Sequence, residues 1–246
     1  MKTVGLITGA NRGLGFETAR QLSHLGVHVL LGARELGAAE QAAEAIRAEG
    51  GEATGLQLDV TRAEEREAAR ELIEQRFSKL DILVNNGAIS DGGFPVKEPE
   101  RWASGVEDEL LHRIFETNFF GAVALTNKLI PLLKLSTAGR VVNLSSIVGS
   151  LTLHQTPGSP IFNSKSLAYG ASKTALNAYT VHLAWEMRRT KIKVNSADPG
   201  WVKTRMGGPN AALELAEGAA TIVRLATLPE DGPTGGFFHN EERRPW

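Results

Sequence analysis

Short apolar runs alternate with amphipathic stretches along the whole chain. The runs at 4–7, 27–32, 53–58, 82–85, 140–144, 192–197 and 236–239 read as strands. Between them, apolar residues at helical spacing predict helices over 14–25, 36–49, 63–77, 106–133, 168–189 and 213–226. Gly26 stops the first helix and Gly50-Gly51 the second. Pro131 is expected to kink the end of the 106–133 helix. The proline-containing stretches 91–104 and 150–167 read as loops. Strict alternation of strand and helix implies a parallel sheet with helices on both faces. No repeat, low-complexity tract or linker interrupts it, so 1–246 reads as one α/β domain of about seven strands.

The first strand runs into Thr8-Gly9-Ala10-Asn11-Arg12-Gly13-Leu14-Gly15, and a helix follows at once. Glycines at such a turn let the backbone approach a pyrophosphate, whose charge then sits on the helix N-terminus. The spacing is G-x-x-x-G-x-G, with Thr18 where G-x-G-x-x-G needs its third glycine. A Walker loop is excluded, since no Gly-Lys-Ser/Thr follows. A glycine turn with no ligand is the plainer reading, but its place after the first strand favours a dinucleotide. The expected fold is therefore a Rossmann-like, doubly wound sheet. At the end of the second strand an NAD site calls for an acid on the ribose, and the chain instead offers Gly32-Ala33-Arg34. Arg34 and Arg12 suit a 2′-phosphate, which points to NADP(H). Asp59, before Val60 and Thr61, suits either an adenine contact or a turn cap. Asn85-Asn86-Gly87-Ala88 lies at the carboxyl end of the fourth strand, where such sheets bind ligands, although asparagines also satisfy turn backbone.

Tyr169 and Lys173 are one helical turn apart on one face. A cation beside a phenol favours the phenolate and yields a proton donor or acceptor near neutral pH. Alone, the pair more often describes a surface tyrosine and a solvated lysine, and it gains meaning only from what stands before and after it. Asn118 falls mid-helix among Phe115, Phe119 and Phe120. A buried amide there needs a partner, and an exposed one needs no explanation. Ser145-Ser146 closes the fifth strand and can face the ligand crevice or cap a turn.

Composition narrows the classes. Net charge is −1, so neither nucleic acid nor an anionic membrane is an expected partner. The chain has no cysteine, which excludes disulfides and thiol catalysis. Its six histidines lack metal-ligand spacing, so no metal is expected. With no signal-like or membrane-length apolar run, a cytoplasmic protein is expected.

In order along the chain, Thr8-Gly9 with Gly13 and Gly15, Asp59, Asn85-Asn86, Asn118, Ser146, Tyr169 with Lys173, and Pro199-Gly200 with Thr204 resemble the short-chain dehydrogenase/reductase family. The 199–209 stretch, with Gly232-Pro233 and Gly235, resembles its carbonyl-reductase branch. The resemblance implies reduction of a ketone, aldehyde or quinone, or the reverse alcohol oxidation, with NADP(H). Tyr169 is implied as general acid, Lys173 as the group that lowers its pKa and holds the nicotinamide ribose, and Ser146 as a hydrogen-bond donor to the carbonyl oxygen. Ser146 is preferred to Ser145 because it precedes Gly149 by the family's three positions. Asn118 is implied to hold a water that relays protons to Lys173. The implied cofactor contacts run through Gly9, Asn11, Arg12, Gly13, Leu14, Gly15, Arg34, Asp59, Val60, Asn86, Tyr169, Lys173, Pro199, Gly200, Val202 and Thr204. A short substrate-side region is expected around 200–212.

Two departures stand out. Gly87-Ala88 reverses the family's Ala-Gly, and Ser146 and Tyr169 are 23 positions apart (169 − 146), longer than the family's usual spacing. The added segment, 151–167, is expected to form a rim over the substrate mouth or an outward interface loop. Phe94, Trp102, His154, Phe162, Trp201 and Met206 are candidates for an apolar substrate pocket. The principal alternative is a non-catalytic NADP(H)-binding regulator, which has no need of Ser146, Tyr169 and Lys173 together. An isomerase or dehydratase on the extended fold needs a larger substrate domain than the 46 residues (246 − 200) after Gly200. Substrate, reaction direction and oligomeric state stay open.

Overall fold

The longer strands and helices form where an apolar stripe can be buried, and the elements follow one another as β1 (Thr3–Thr8), α1 (Gly13–His24), β2 (Val27–Ala33), α2 (Leu36–Ala48), β3 (Ala53–Gln57), α3 (Ala63–Phe77) and β4 (Ile82–Asn85). Then come α4 (Asp108–Phe115), a π-helical turn (Glu116–Gly121), α5 (Ala122–Lys134), β5 (Arg140–Leu144), α6 (Leu151–Gln155) and α7 (Leu167–Glu186). The chain closes with β6 (Lys193–Ala197), α8 (Leu215–Ala226), β7 (Phe237–His239) and β8 (Glu242–Arg243). This computed structural model describes residues 2–92 and 98–246, so the expectations placed on Phe94 lie outside the described residues.

The strands form one sheet in the order β3-β2-β1-β4-β5-β6-β7-β8. All neighbours pair in parallel except β7 and β8. The strands bury both faces. Val29 and Leu31 join Ala19, Leu22, Ala43, Ile46, Ile222 and Leu225 on one side of the sheet. Val4, Leu6 and Leu30 join Ile73, Leu125, Leu129, Leu133 and Leu183 on the other. Strand order reverses between β2-β1 and β4-β5, and that switch point opens a crevice at the carboxyl ends of the strands.

Three expectations are corrected. An eighth strand is present among the described residues: β8 folds back antiparallel on β7 through Asn240, whose φ is 51°. Two residues carry no readable alternation, so the pattern missed it. The 106–133 helix is not continuous. It begins at Asp108 and passes through the π turn, and α5 runs past Pro131 to Lys134. At Gly121 a Cβ would come within 2.8 Å of Val60, so the helix passes close to that loop there. The 150–167 stretch is not all loop, because Ser150 Oγ accepts from the Leu153 amide at 3.1 Å and starts α6.

Candidate active site

The crevice is a cleft of about 1160 Å³, above the roughly 300–1,000 Å³ usual for a small ligand, as a dinucleotide with a substrate requires. Every catalytic and cofactor-binding residue expected from the sequence lines it except Asn118. Gly9, Asn11, Arg12, Gly13, Leu14 and Gly15 come from the β1–α1 turn, Arg34 from the end of β2, and Asp59 and Val60 from the loop after β3. Asn86 follows β4, Ser146 follows β5, Tyr169 and Lys173 lie on α7, and Pro199, Gly200, Val202 and Thr204 follow β6.

The glycine turn is held by the loop after β4. Thr8 Oγ1 accepts from the amides of Asn86 at 3.0 Å and Gly87 at 2.8 Å. Asn86 Nδ2 donates to Thr8 O at 2.7 Å and Gly9 O at 3.1 Å. Gly15 is the close-approach position: a Cβ there would lie 2.4 Å from Asn86 Nδ2 and 2.5 Å from Gly9 O. Thr18 therefore needs no glycine's latitude. A Cβ on Gly9 would stand 2.9 Å from Gly87 Cα, and one on Gly87 would stand 3.2 Å from Thr8 Oγ1, so the two loops pass closely here. The first turn of α1 carries no acidic residue, and exposed Arg12 and Arg34 line the same cleft. These features fit a dinucleotide with a 2′-phosphate. Gly15→Ala is expected to weaken NADPH binding at least about tenfold in a fluorescence titration and to lower the melting temperature, because overpacking costs about 1–3 kcal/mol. Unchanged affinity would remove Gly15 from the cradle.

Asp59 acts as a turn cap, its Oδ1 accepting from the Thr61 amide at 2.9 Å and hydroxyl at 2.7 Å, while the residue also lines the cleft. Asn118 is buried in the π turn. Its Oδ1 accepts from the Ile89 amide, and its Nδ2 donates to Ile89 O, both at 2.9 Å, and to Ser172 Oγ at 3.0 Å. The amide's partner is thus the backbone after β4 together with the Tyr169 helix.

Lys173 is buried, its Nζ donates to Leu144 O at 2.7 Å, and it stands 5.5 Å from the Tyr169 ring centroid. Burial pushes its ammonium down to about 7. Burial also pushes the half-buried Tyr169 phenol above its ordinary range, the Asp198 and Asp91 carboxylates add to this, and hydrogen bonding from Ser146 opposes it. The expected lowering of the phenol by the lysine is therefore reversed in this structure. A half-discharged ammonium near neutral pH gives a weak counter-field, and desolvation wins. Ser146 also caps the turn that follows, accepting from Val148 N at 3.4 Å. Ser145 lines the cleft too.

Among the apolar candidates, Trp201 and Met206 line the cleft. His154, Phe162 and Trp102 are not among its lining residues, and Trp102 is exposed. Trp201 Nε1 donates to Gly207 O at 2.8 Å, and Val202 bridges to Leu213, which shapes the loop at 199–213. Asn85 was singled out in the sequence, but its buried partners and two aspartates went unnoticed. Asn85, Asn143, Thr180 and Ser196 form a buried polar chain across β4, β5, α7 and β6, with links of 2.8 Å. An asparagine inside the apolar 140–144 run was the available signal, since a buried amide must be paired. Asp91 accepts from Ser166 Oγ at the start of α7 and pairs with Arg101 at 3.3 Å. Asp198 is the other, immediately before Pro199-Gly200.

Residues 3–214 match the sequence model of the family described as short chain dehydrogenase. Carbonyl reductase (NADPH) 1 of Mus musculus is 32% identical over 283 aligned residues, covering 100% of this chain and 99% of that protein. (+)-Neomenthol dehydrogenase of Capsicum annuum is 32% identical over 301, covering 96% and 95%. The solved structure of salutaridine reductase from Papaver somniferum superposes with a TM-score of 0.79 at 30% identity, covering 96% of this chain and 99% of that one.

Proposed function

Since the chain belongs to the short chain dehydrogenase family, we propose that it is an NADP(H)-dependent oxidoreductase that interconverts a carbonyl compound and its alcohol, with Tyr169 as general acid or base. One observation carries this reading: Ser146, Tyr169 and Lys173 share a single cleft with the glycine turn and with Arg12 and Arg34. When bound, the nicotinamide supplies or accepts the hydride. The chain's own groups do the rest. Arg12 and Arg34 hold the 2′-phosphate, and the N-terminus of α1 holds the pyrophosphate. Ser146 and Tyr169 donate hydrogen bonds to the carbonyl oxygen, and the Tyr169 proton passes to it as negative charge develops there. Lys173 holds the ribose hydroxyls. With its charge restored by that environment, it draws the phenol back toward a titratable range. Asn118, fixed between Ile89 and Ser172, keeps the π turn in place beside α7 and orders the water that returns a proton toward Lys173.

The mouse relative's name supports the choice of NADPH, and the missing acid at Ala33 supports it independently. The substrate is a small carbonyl compound or alcohol, and the 151–167 segment, whose end at Ser164 and Ser166 lines the cleft, forms part of its rim. Arg34→Ala tests the cofactor assignment. Charge-assisted bonds are worth about 1.5–3 kcal/mol, so the KM for NADPH is expected to rise about 10- to 100-fold at low salt. The KM for NADH should move little, and equal effects on both would overturn the assignment. A regulator that binds NADPH without consuming it would show binding but no NADPH absorbance decay over a broad carbonyl panel.

A further inference from the structure

Asp198 directly follows β6 and is buried, with only 1% of its surface exposed. Its Oδ1 accepts from the Ile147 amide at 3.2 Å and the Gly200 amide at 3.1 Å. One carboxylate oxygen thereby joins the backbone just after Ser146 to the backbone that opens the 199–213 loop. The other oxygen lies 3.5 Å from Arg244 Nε. Arg244 is itself seated by its amide, which donates to Phe237 O at 2.7 Å, and Glu242 stands 3.7 Å from its guanidinium. Two residues on, Trp246 stacks on Phe237 with centroids 5.7 Å apart, and Trp246 O accepts from the Thr152 amide at 2.9 Å. The 242–246 segment therefore touches both ends of the catalytic neighbourhood, the base of the rim at α6 and the carboxylate behind Ser146.

We propose that Asp198 is a positioning residue of the reaction, and that Arg244, carried in by the 242–246 segment, is the counter-ion that sets how strongly its charge bears on Tyr169. This rests on the proposed function, in which Tyr169 gives up a proton. A carboxylate behind the site raises the cost of the phenolate and keeps the proton on the acid until the carbonyl oxygen takes it. The same carboxylate holds Ile147, and with it Ser146, in register with the β6 end. Ile147 and Gly200, the two backbone partners of this carboxylate, line the same cleft as Ser146 and Tyr169, and the carboxylate is among the causes of the upward push already described. A buried carboxylate with two amide donors needs a cation to remain tolerable, and Arg244 supplies it.

Asp198→Asn keeps an oxygen acceptor and removes the charge. Arg244→Gln removes the counter-ion, and Arg244→Lys restores it. The other charges that line the cleft are the same in all three, among them Lys173 on α7, Asp91 with Arg101 on the loop after β4, Arg113 on α4, Glu116 in the π turn and Arg205 on the loop after β6. His239, whose Nδ1 lies 3.0 Å from Asp198 O, also stays. The readout is the pH above which kcat/KM for carbonyl reduction falls. Asp198→Asn should move that limb down by about half a unit or more, and Arg244→Gln should move it up, with Arg244→Lys close to the parent protein. Shifts in the same direction, or a loss of kcat with no shift, would reduce Asp198 to a structural bond and overturn the proposal. If Asp198→Asn does not fold, Arg244→Gln decides alone by the same criterion. If the parent protein reduces no carbonyl with NADPH, the functional reading fails. The positioning role is then read by amide exchange: at Ile147 and Gly200 it should be several-fold faster in Arg244→Gln, and unchanged exchange would overturn it.

Discussion

Tyr169→Phe is expected to lower kcat for NADPH-dependent carbonyl reduction by about 10²–10⁴-fold, the range over which general acid catalysis usually contributes. The substitution removes one hydroxyl and leaves the ring on α7, so packing around the half-buried side chain is kept. The glycine turn, Arg12 and Arg34 lie on other elements, and the dissociation constant for NADPH should stay within about threefold. Ser146 remains to polarise the carbonyl, which accounts for residual turnover. Stopped-flow traces of NADPH oxidation, with affinity measured separately by fluorescence, check both parts. Retention of most of the activity would mean that the proton comes from another group, and a parallel loss of NADPH affinity would mean that the phenol is chiefly a binding contact.

Lys173→Met is the second large effect, and it has two signatures of opposite sense. Activity should fall by at least about 10²-fold, since the group that draws the phenol into range is gone. Stability should respond differently. The folded-state pKa of Lys173, about 7, lies below that of a free lysine. Between those values the unfolded chain holds one more proton than the folded one, so this group makes stability rise with pH from about 7 to about 10. Below about 7 both states are protonated, and the folded protein carries the full cost of a buried ammonium, on the order of a few kcal/mol. The variant should lack this rise. Comparing urea midpoints of the two proteins across pH 6–9.5, without cofactor, isolates it, because every other titrating group is shared. Identical slopes would show that Lys173 is solvated in the folded chain and that its influence on Tyr169 has to be reconsidered.

The two predictions draw on different layers of information. That Tyr169 and Lys173 share one face was legible because one helical turn separates them, whereas the roles expected of them came only from the resemblance of the whole chain to the family. The glycine turn was legible because a strand that meets a helix through Gly9, Gly13 and Gly15 leaves little choice of backbone path. The alternation of seven apolar runs with amphipathic stretches predicted a parallel sheet covered on both faces, and the cores around Leu31 and Leu30 are those two faces. Periodicity is a local property, and these features are local. Segments without period were less legible. The two residues of β8 and the short α6 are too brief to establish one, and the π turn at Asn118 interrupts it.

Tertiary structure decided what depends on distance across the chain. Gly15 matters because Asn86, from a different strand, stands where its Cβ would go. The phenol of Tyr169 is pushed up, although its neighbour on the helix is a lysine, because burial and two carboxylates from other elements outweigh that neighbour. Asp198 looked like an ordinary residue at a strand end until Ile147, Gly200 and Arg244 converged on it. Desolvation and charge pairing are set by everything within a few ångströms, whatever its place in the chain. The sequence by itself therefore determined which groups are the candidates for the chemistry and which elements they ride on. The packing of β5, β6 and α7 decided their burial and their register, because those are properties of an enclosed volume that no single stretch of chain contains.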